Sequence, residues 1–170
     1  FGSWGYKTGD LGFLAEGELF VTGRKKDLII IGGKNIYPQD IERLVNDTPG
    51  IVPGRCVAFG VSNKKFGTEE LVILAETKTK DKLALQKIQE RVFLSIASGS
   101  EVVANKVIIL PHMTLLKSSS GKIARHPNKE KYLQEYQAIR NSSKLDTNAS
   151  LEESVQNVIT NVLKEHKGMD

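Results

Sequence analysis

Two apolar runs, Leu11-Gly12-Phe13-Leu14 and Glu18-Leu19-Phe20-Val21-Thr22, flank the turn residues Ala15-Glu16-Gly17 and predict a β-hairpin over 11–22. A charged connector follows at 23–27. Leu28-Ile29-Ile30-Ile31 predicts a short buried strand, because four consecutive apolar residues cannot alternate between core and solvent. Gly32-Gly33-Lys34-Asn35 predicts a turn. Pro38 suits a first helical position, and Ile41, Leu44 and Val45 give one apolar stripe that ends near Asn46, closed by Pro49-Gly50.

Residues 57–61 and 70–77 predict two central strands joined by a polar loop around Asn63-Lys64-Lys65. Asp81 is placed to cap a long helix whose stripe is Leu85, Ile88, Val92 and Ile96, ending before Gly99. A short strand at 106–110 stops at Pro111. A polar loop at 117–122 then leads to a charged helix from about 127 to 138. Residues 141–149 are polar and read as a linker. Beyond them Ser150 and Glu153 form a candidate capping box ahead of an amphipathic stripe, Leu151, Val155, Val158, Ile159 and Val162. The order, a hairpin and then βαββαβα, predicts an α+β fold: a small mixed sheet flanked by helices, with a helical C-terminal tail.

Composition removes several function classes. No apolar run approaches the ~18 residues of a membrane span. The single cysteine, Cys56, excludes a disulfide framework and a Cys-rich zinc site, and reads as a buried strand residue. His112, His126 and His166 lack the short pair spacings of metal ligands and read as structural, so no metal site is expected. Charge is uneven: 22 basic and 15 acidic residues run up to Lys144, against 2 and 5 from Leu145 onward. A basic body of this kind could meet phosphate. Nucleic acid is a poor expectation, because aromatic residues are only 6 % of the chain and do not interleave with the lysines. The chain opens on Phe1 without a secretory pattern, and is expected to be a cytoplasmic piece of something longer.

Four segments carry candidate chemistry. Tyr6-Lys7-Thr8-Gly9-Asp10 puts a carboxylate on a turn, where two acceptor oxygens could take vicinal hydroxyls; taken alone it is an ordinary Asp turn. Gly23-Arg24-Lys25-Lys26-Asp27 alone is a solvated connector. Gly32-Gly33-Lys34-Asn35-Ile36-Tyr37-Pro38-Gln39-Asp40-Ile41-Glu42 sets a double glycine ahead of a helix, where backbone can approach a ligand. Lys117-Ser118-Ser119-Ser120-Gly121-Lys122-Ile123 puts a lysine on a flexible Ser-rich loop, aimed at phosphate or carboxylate. It is not a P-loop, which would need Gly at 116 and Ser or Thr at 123.

In this order and spacing the four segments resemble the C-terminal part of the adenylate-forming superfamily: acyl-CoA synthetases, nonribosomal peptide synthetase adenylation domains and luciferases. The Gly32 to Glu42 segment is most similar to fatty acyl-AMP ligases. The resemblance implies an ATP-dependent reaction in two steps. A fatty acid carboxylate attacks the α-phosphate to give acyl-adenylate and pyrophosphate, and a thiol then takes the acyl group. It implies that Asp10 binds the ribose hydroxyls, Arg24 assists there, Lys26 with Asp27 forms the hinge, and Lys122 is the catalytic lysine of adenylation. Gly32, Gly33 and Lys34 correspond to a loop toward the acceptor's pantetheine arm. Residues 1–25 would close the N-terminal adenylation domain, which would hold Mg2+ and act as partner to a mobile subdomain at 26–140. After a linker at 141–149, residues 150–170 would open an acyl carrier domain or form a plain docked helix. The acceptor expected is a phosphopantetheinylated acyl carrier protein. The alternatives are an acyl-CoA synthetase, or a non-enzymatic basic module for phosphate or nucleic acid.

Overall fold

The computed structural model describes residues 6–142. The predicted tail helix and His166 lie outside the described residues. The chain forms two compact units, Phe1–Lys129 and Glu130–Asp170.

The first unit opens with a hairpin of β1 (Asp10–Ala15) and β2 (Glu18–Arg24). Glu16 and Gly17 both have positive φ, the two-residue turn whose twist matches a hairpin. The connector is a single 3-10 turn, Lys25–Asp27. A second hairpin follows, β3 (Ile29–Ile31) and β4 (Lys34–Ile36). The predicted turn at 32–35 is therefore shorter: Gly32 and Gly33 make it, at φ +56° and +81°, while Lys34 and Asn35 pair back as strand.

Helix α1 (Pro38–Asn46) begins on its proline, whose missing N–H costs nothing at a first helical position. The main sheet has the order β5 (Cys56–Asn63), β6 (Thr68–Thr77), β7 (Lys106–Pro111), antiparallel and then parallel. It is a small mixed sheet, as expected, but only β6 is central; β5 is an edge of the ladder. Helix α2 (Lys82–Gly99) makes the right-length crossover between the parallel strands. Its cap is the one predicted, with Asp81 accepting from the Ala84 N–H at 2.8 Å.

The core follows the period-2 and period-3.6 patterns. Ala58, Leu71, Ile73, Ala75 and Val107 from the strands meet Ile41 and Val45 of α1 and Ile88, Val92 and Ile96 of α2. Each of the Val, Leu and Ile side chains among them, removed from water, contributes roughly 1.5–3 kcal/mol. The alternate strand positions Val57, Phe59, Val72 and Leu74 are buried as well, so both sheet faces are covered. Helix α3 (Arg125–Ser142) starts two residues before the predicted 127. In the second unit the described residues are the helical 130–142, with Lys131 and Glu135 paired one turn apart at 4.0 Å.

Candidate functional site

Asp10 and Arg24 face each other in the β1–β2 register, and the Arg24 Nε donates to Asp10 Oδ1 at 3.2 Å. The pair is open to solvent, with side chains 37 % and 57 % exposed, so Asp10 keeps acceptor capacity for a diol. The family resemblance implies a ribose-binding role for each of these two residues, and in the structure they are hydrogen-bonded to one another.

The connector is anchored on both sides of Lys26. The Lys25 N–H donates to the Gly9 carbonyl at 2.9 Å, tying it to the first hairpin. Asp27 accepts from Arg125 at 2.7 Å. Lys26 lies between these anchors and is exposed. The Gln39 side-chain amide also donates to the Thr22 carbonyl, bridging α1 and β2.

Gly32 and Gly33 do not sit at a helix N-terminus: β4 separates them from α1, and they form the exposed tip of the β3–β4 hairpin. The Gly32 N–H donates to Thr68 Oγ1 at 2.8 Å, and Lys34 is paired with Glu101 at 2.6 Å. Lys34 holds the Glu101 carboxyl below its ordinary value by hydrogen bond and charge. The tip is open space in which a ligand could approach backbone.

The expected flexible loop around Lys122 is a hydrogen-bonded turn. Lys117 and Ile123 bridge, the Gly121 N–H reaches the Ser118 carbonyl at 2.9 Å, and the Ser118 N–H reaches the Lys122 carbonyl at 2.8 Å. Gly121 takes φ +80°, a conformation that a residue with a Cβ would strain to hold. The Lys122 ammonium is exposed, with no hydrogen bond or ion pair to Asp10, Arg24 or any other described residue. A short hydrogen-bonded turn thus presents two lysines, Lys117 and Lys122, to solvent.

Three residues that sequence reasoning passed over hold this turn in place. Asn128 is buried at the foot of the turn; its side chain accepts from the Leu116 N–H and donates to the Leu116 and Ala124 carbonyls, all within 3.0 Å. Glu76 is fully buried and fixes residues 112–115, accepting from the Leu115 N–H at 2.6 Å and the Met113 N–H at 2.9 Å. His112 Nδ1 lies 3.0 Å from it and Arg55 Nε 3.6 Å. Burial works against the charge, yet these donors and Arg55 outweigh it and hold the Glu76 carboxyl below its ordinary range. Arg125 completes the set, reaching Asp27, Glu42 and the Ala58 carbonyl. Glu76 leaves a trace in the sequence, a carboxylate ending an apolar strand.

Cys56 is the buried strand residue expected, its thiol pushed up to about 12 by burial and then by Glu42, with Arg125 opposing, so it is inert at neutral pH. Among the described residues no group of three or more His, Cys, Asp or Glu could hold a metal ion. No helix among them is long and apolar enough to cross a membrane.

Residues 26–142 match the family profile described as Disco-interacting protein 2-like, AMP domain. The chain is 35 % identical over 138 residues to 4-hydroxyphenylalkanoate adenylyltransferase of Mycobacterium tuberculosis, covering 78 % of this chain and 21 % of the relative. It is 36 % identical over 131 residues to the medium-chain-fatty-acid–[acyl-carrier-protein] ligase JamA of Moorena producens, covering 75 % and 22 %. One of the solved fatty acyl-adenylate ligase structures from E. coli and L. pneumophila superposes with a TM-score of 0.66 at 37 % identity, over 77 % of this chain and 23 % of that one. The chain thus spans about a fifth of the length of these curated relatives.

Proposed function

Since this chain belongs to the Disco-interacting protein 2-like AMP-domain family of the adenylate-forming superfamily, and is fatty acyl-AMP ligase-like, we propose that it is the C-terminal part of such a ligase. In this reading the enzyme uses ATP to activate a fatty acid as acyl-adenylate and passes the acyl group to a phosphopantetheinylated carrier protein in the cytoplasm, where ATP is supplied. The acceptor is proposed from the similarity to an acyl-carrier-protein ligase.

Asp10 would hold the ribose hydroxyls, with Arg24 fixing the rotamer of its carboxylate. In the first half-reaction the fatty acid oxygen bonds to the α-phosphorus and the bridging oxygen to pyrophosphate leaves. Negative charge builds on the α-phosphoryl oxygens, and the Lys122 ammonium would stabilise it. In the second, the carrier thiol loses its proton, its sulfur bonds to the acyl carbon, and AMP departs. Rotation about Lys26 would withdraw Lys122 and bring the Gly32–Gly33 tip toward the pantetheine arm.

Residues 1–25 are proposed to close a larger N-terminal domain, which is also the proposed holder of Mg2+. In support, Leu14, Leu19 and Val21 share one face of the first hairpin and are all more than half exposed, an apolar face suited to cover by further protein. Residues 26–140 are proposed as the mobile subdomain, 141–149 as linker, and 150–170 as the approach to a carrier domain. The observation that carries the reading is the pairing of Asp10 with Arg24 just ahead of the anchored hinge. The test is fatty-acid-dependent exchange of labelled pyrophosphate into ATP by the full-length protein. Exchange that requires a fatty acid is expected; its absence across short, medium and long chains would contradict the reading.

A further inference from the structure

We infer that Arg125 is a positioning residue that locks the Lys122 turn to the hinge, so that motion about Lys26 carries Lys122 with it. This rests on the function proposed above and adds to it a residue with no direct contact to the reacting atoms.

The geometry is specific. Arg125 stands three positions after Lys122, as the first residue of α3. Its side chain is only 22 % exposed, and its nitrogens are bonded on three sides. Nη1 reaches Asp27 Oδ2 at 2.7 Å, Nη2 reaches both Glu42 oxygens at 2.8 and 3.0 Å, and Nε reaches the Ala58 carbonyl at 3.0 Å. The Ala58 N–H in turn donates to Glu42 Oε1 at 2.9 Å. Both edge groups of β5 at Ala58 are therefore satisfied by this one ion pair, so the guanidinium is referenced to the sheet rather than to mobile side chains.

A planar fork is needed for this arrangement. An ammonium is a point charge and cannot hold Asp27, Glu42 and a carbonyl along fixed directions. On the other side of the hinge, Lys25 is tied to Gly9, the residue just ahead of β1. The boundary of the moving body thus falls between Lys25 and Asp27, and Arg125 fixes the distance from that boundary to Lys122. Displacements near 1 Å at a reacting centre can cost about 10² in rate.

The experiment uses the full-length protein and a double-mutant cycle of Arg125→Lys with Lys122→Ala. Pyrophosphate exchange gives kcat and KM for ATP, and transfer from supplied acyl-adenylate is measured on the same samples. Arg125→Lys is expected to lower adenylation kcat about 10- to 100-fold with KM for ATP near wild type. In the Lys122→Ala background it should cost about twofold at most, because its effect acts through Lys122. Asp27→Ala, which removes only the hinge-side acceptor of Arg125, is run alongside and should show the same non-additivity, so a folding failure of Arg125→Lys does not decide the result. Losses that multiply equally in both backgrounds, or wild-type adenylation in both variants, overturn the inference and leave the proposed function standing. Wild-type adenylation by Lys122→Ala overturns the inference together with the role proposed for Lys122, while fatty-acid-dependent exchange itself still supports the ligase reading.

Discussion

Asp10 and Arg24 lie fourteen residues apart in sequence, yet are direct cross-strand partners, with the guanidinium donating to the carboxylate at 3.2 Å. An exposed pair of this kind contributes only about 0–1 kcal/mol to stability. Its value is in orientation: one carboxylate oxygen is held by Arg24 and the other is left to accept from a ligand.

Asp10→Asn in the full-length protein should therefore raise KM for ATP by roughly tenfold or more, the cost of losing a hydrogen bond to a charged group. The thermal midpoint should stay close to wild type. Steady-state kinetics and a melting curve on one preparation check this; a large fall in midpoint with unchanged KM would make the pair structural.

Lys26→Pro should separate the two half-reactions. Lys25 occupies a 3-10 turn here, and a residue before proline is pushed out of that region, so the substitution disfavours the hinge conformation described above. Pyrophosphate exchange and single-turnover transfer to a carrier protein should fall by unequal factors. Equal wild-type rates in both would place the moving joint elsewhere.

Glu76→Gln should destabilise the fold by about 2 kcal/mol or more. The new amide presents donors to backbone N–H groups that need acceptors, leaving buried groups unsatisfied. The pH dependence has a definite sign. A carboxyl held low in the folded state contributes stability that is present above its ordinary value of 4.5 and is lost as pH falls below it. Thermal midpoints of the chain measured from pH 7 to 3 should show a steeper acid decline in wild type than in Glu76→Gln. Parallel declines would remove Glu76 from the account.

The main elements were legible because their signals are local. Pro38 opens α1, Asp81 caps α2, and the Ile88, Val92 and Ile96 stripe turns to the core as its period requires. The β3–β4 hairpin is only partly legible in the sequence because Lys34 and Asn35 have little strand propensity; their pairing comes from the Gly32–Gly33 turn and from Thr68 of β6, whose hydroxyl accepts from the Gly32 N–H. Of the candidate site, Asp10, Arg24 and Lys122 are reached through the family resemblance that their segments carry, since taken alone each reads as an ordinary turn or connector residue. Arg125, Glu42 and Asn128 carry no such signal, and Glu76 shows only as a carboxylate in an apolar strand, since each works largely through partners 12 to 98 positions away. Nothing in their immediate neighbourhood encodes those distances.

The measurement that bears most directly on the central claim is Lys122→Ala in the full-length protein, followed through both half-reactions. Removal of one preorganised charge from the adenylation transition state should slow fatty-acid-dependent pyrophosphate exchange by about 10²–10³. Transfer of the acyl group from supplied acyl-adenylate to a carrier thiol should stay near the wild-type rate. Equal losses in both half-reactions, or exchange at the wild-type rate, would contradict the assignment of Lys122 to adenylation.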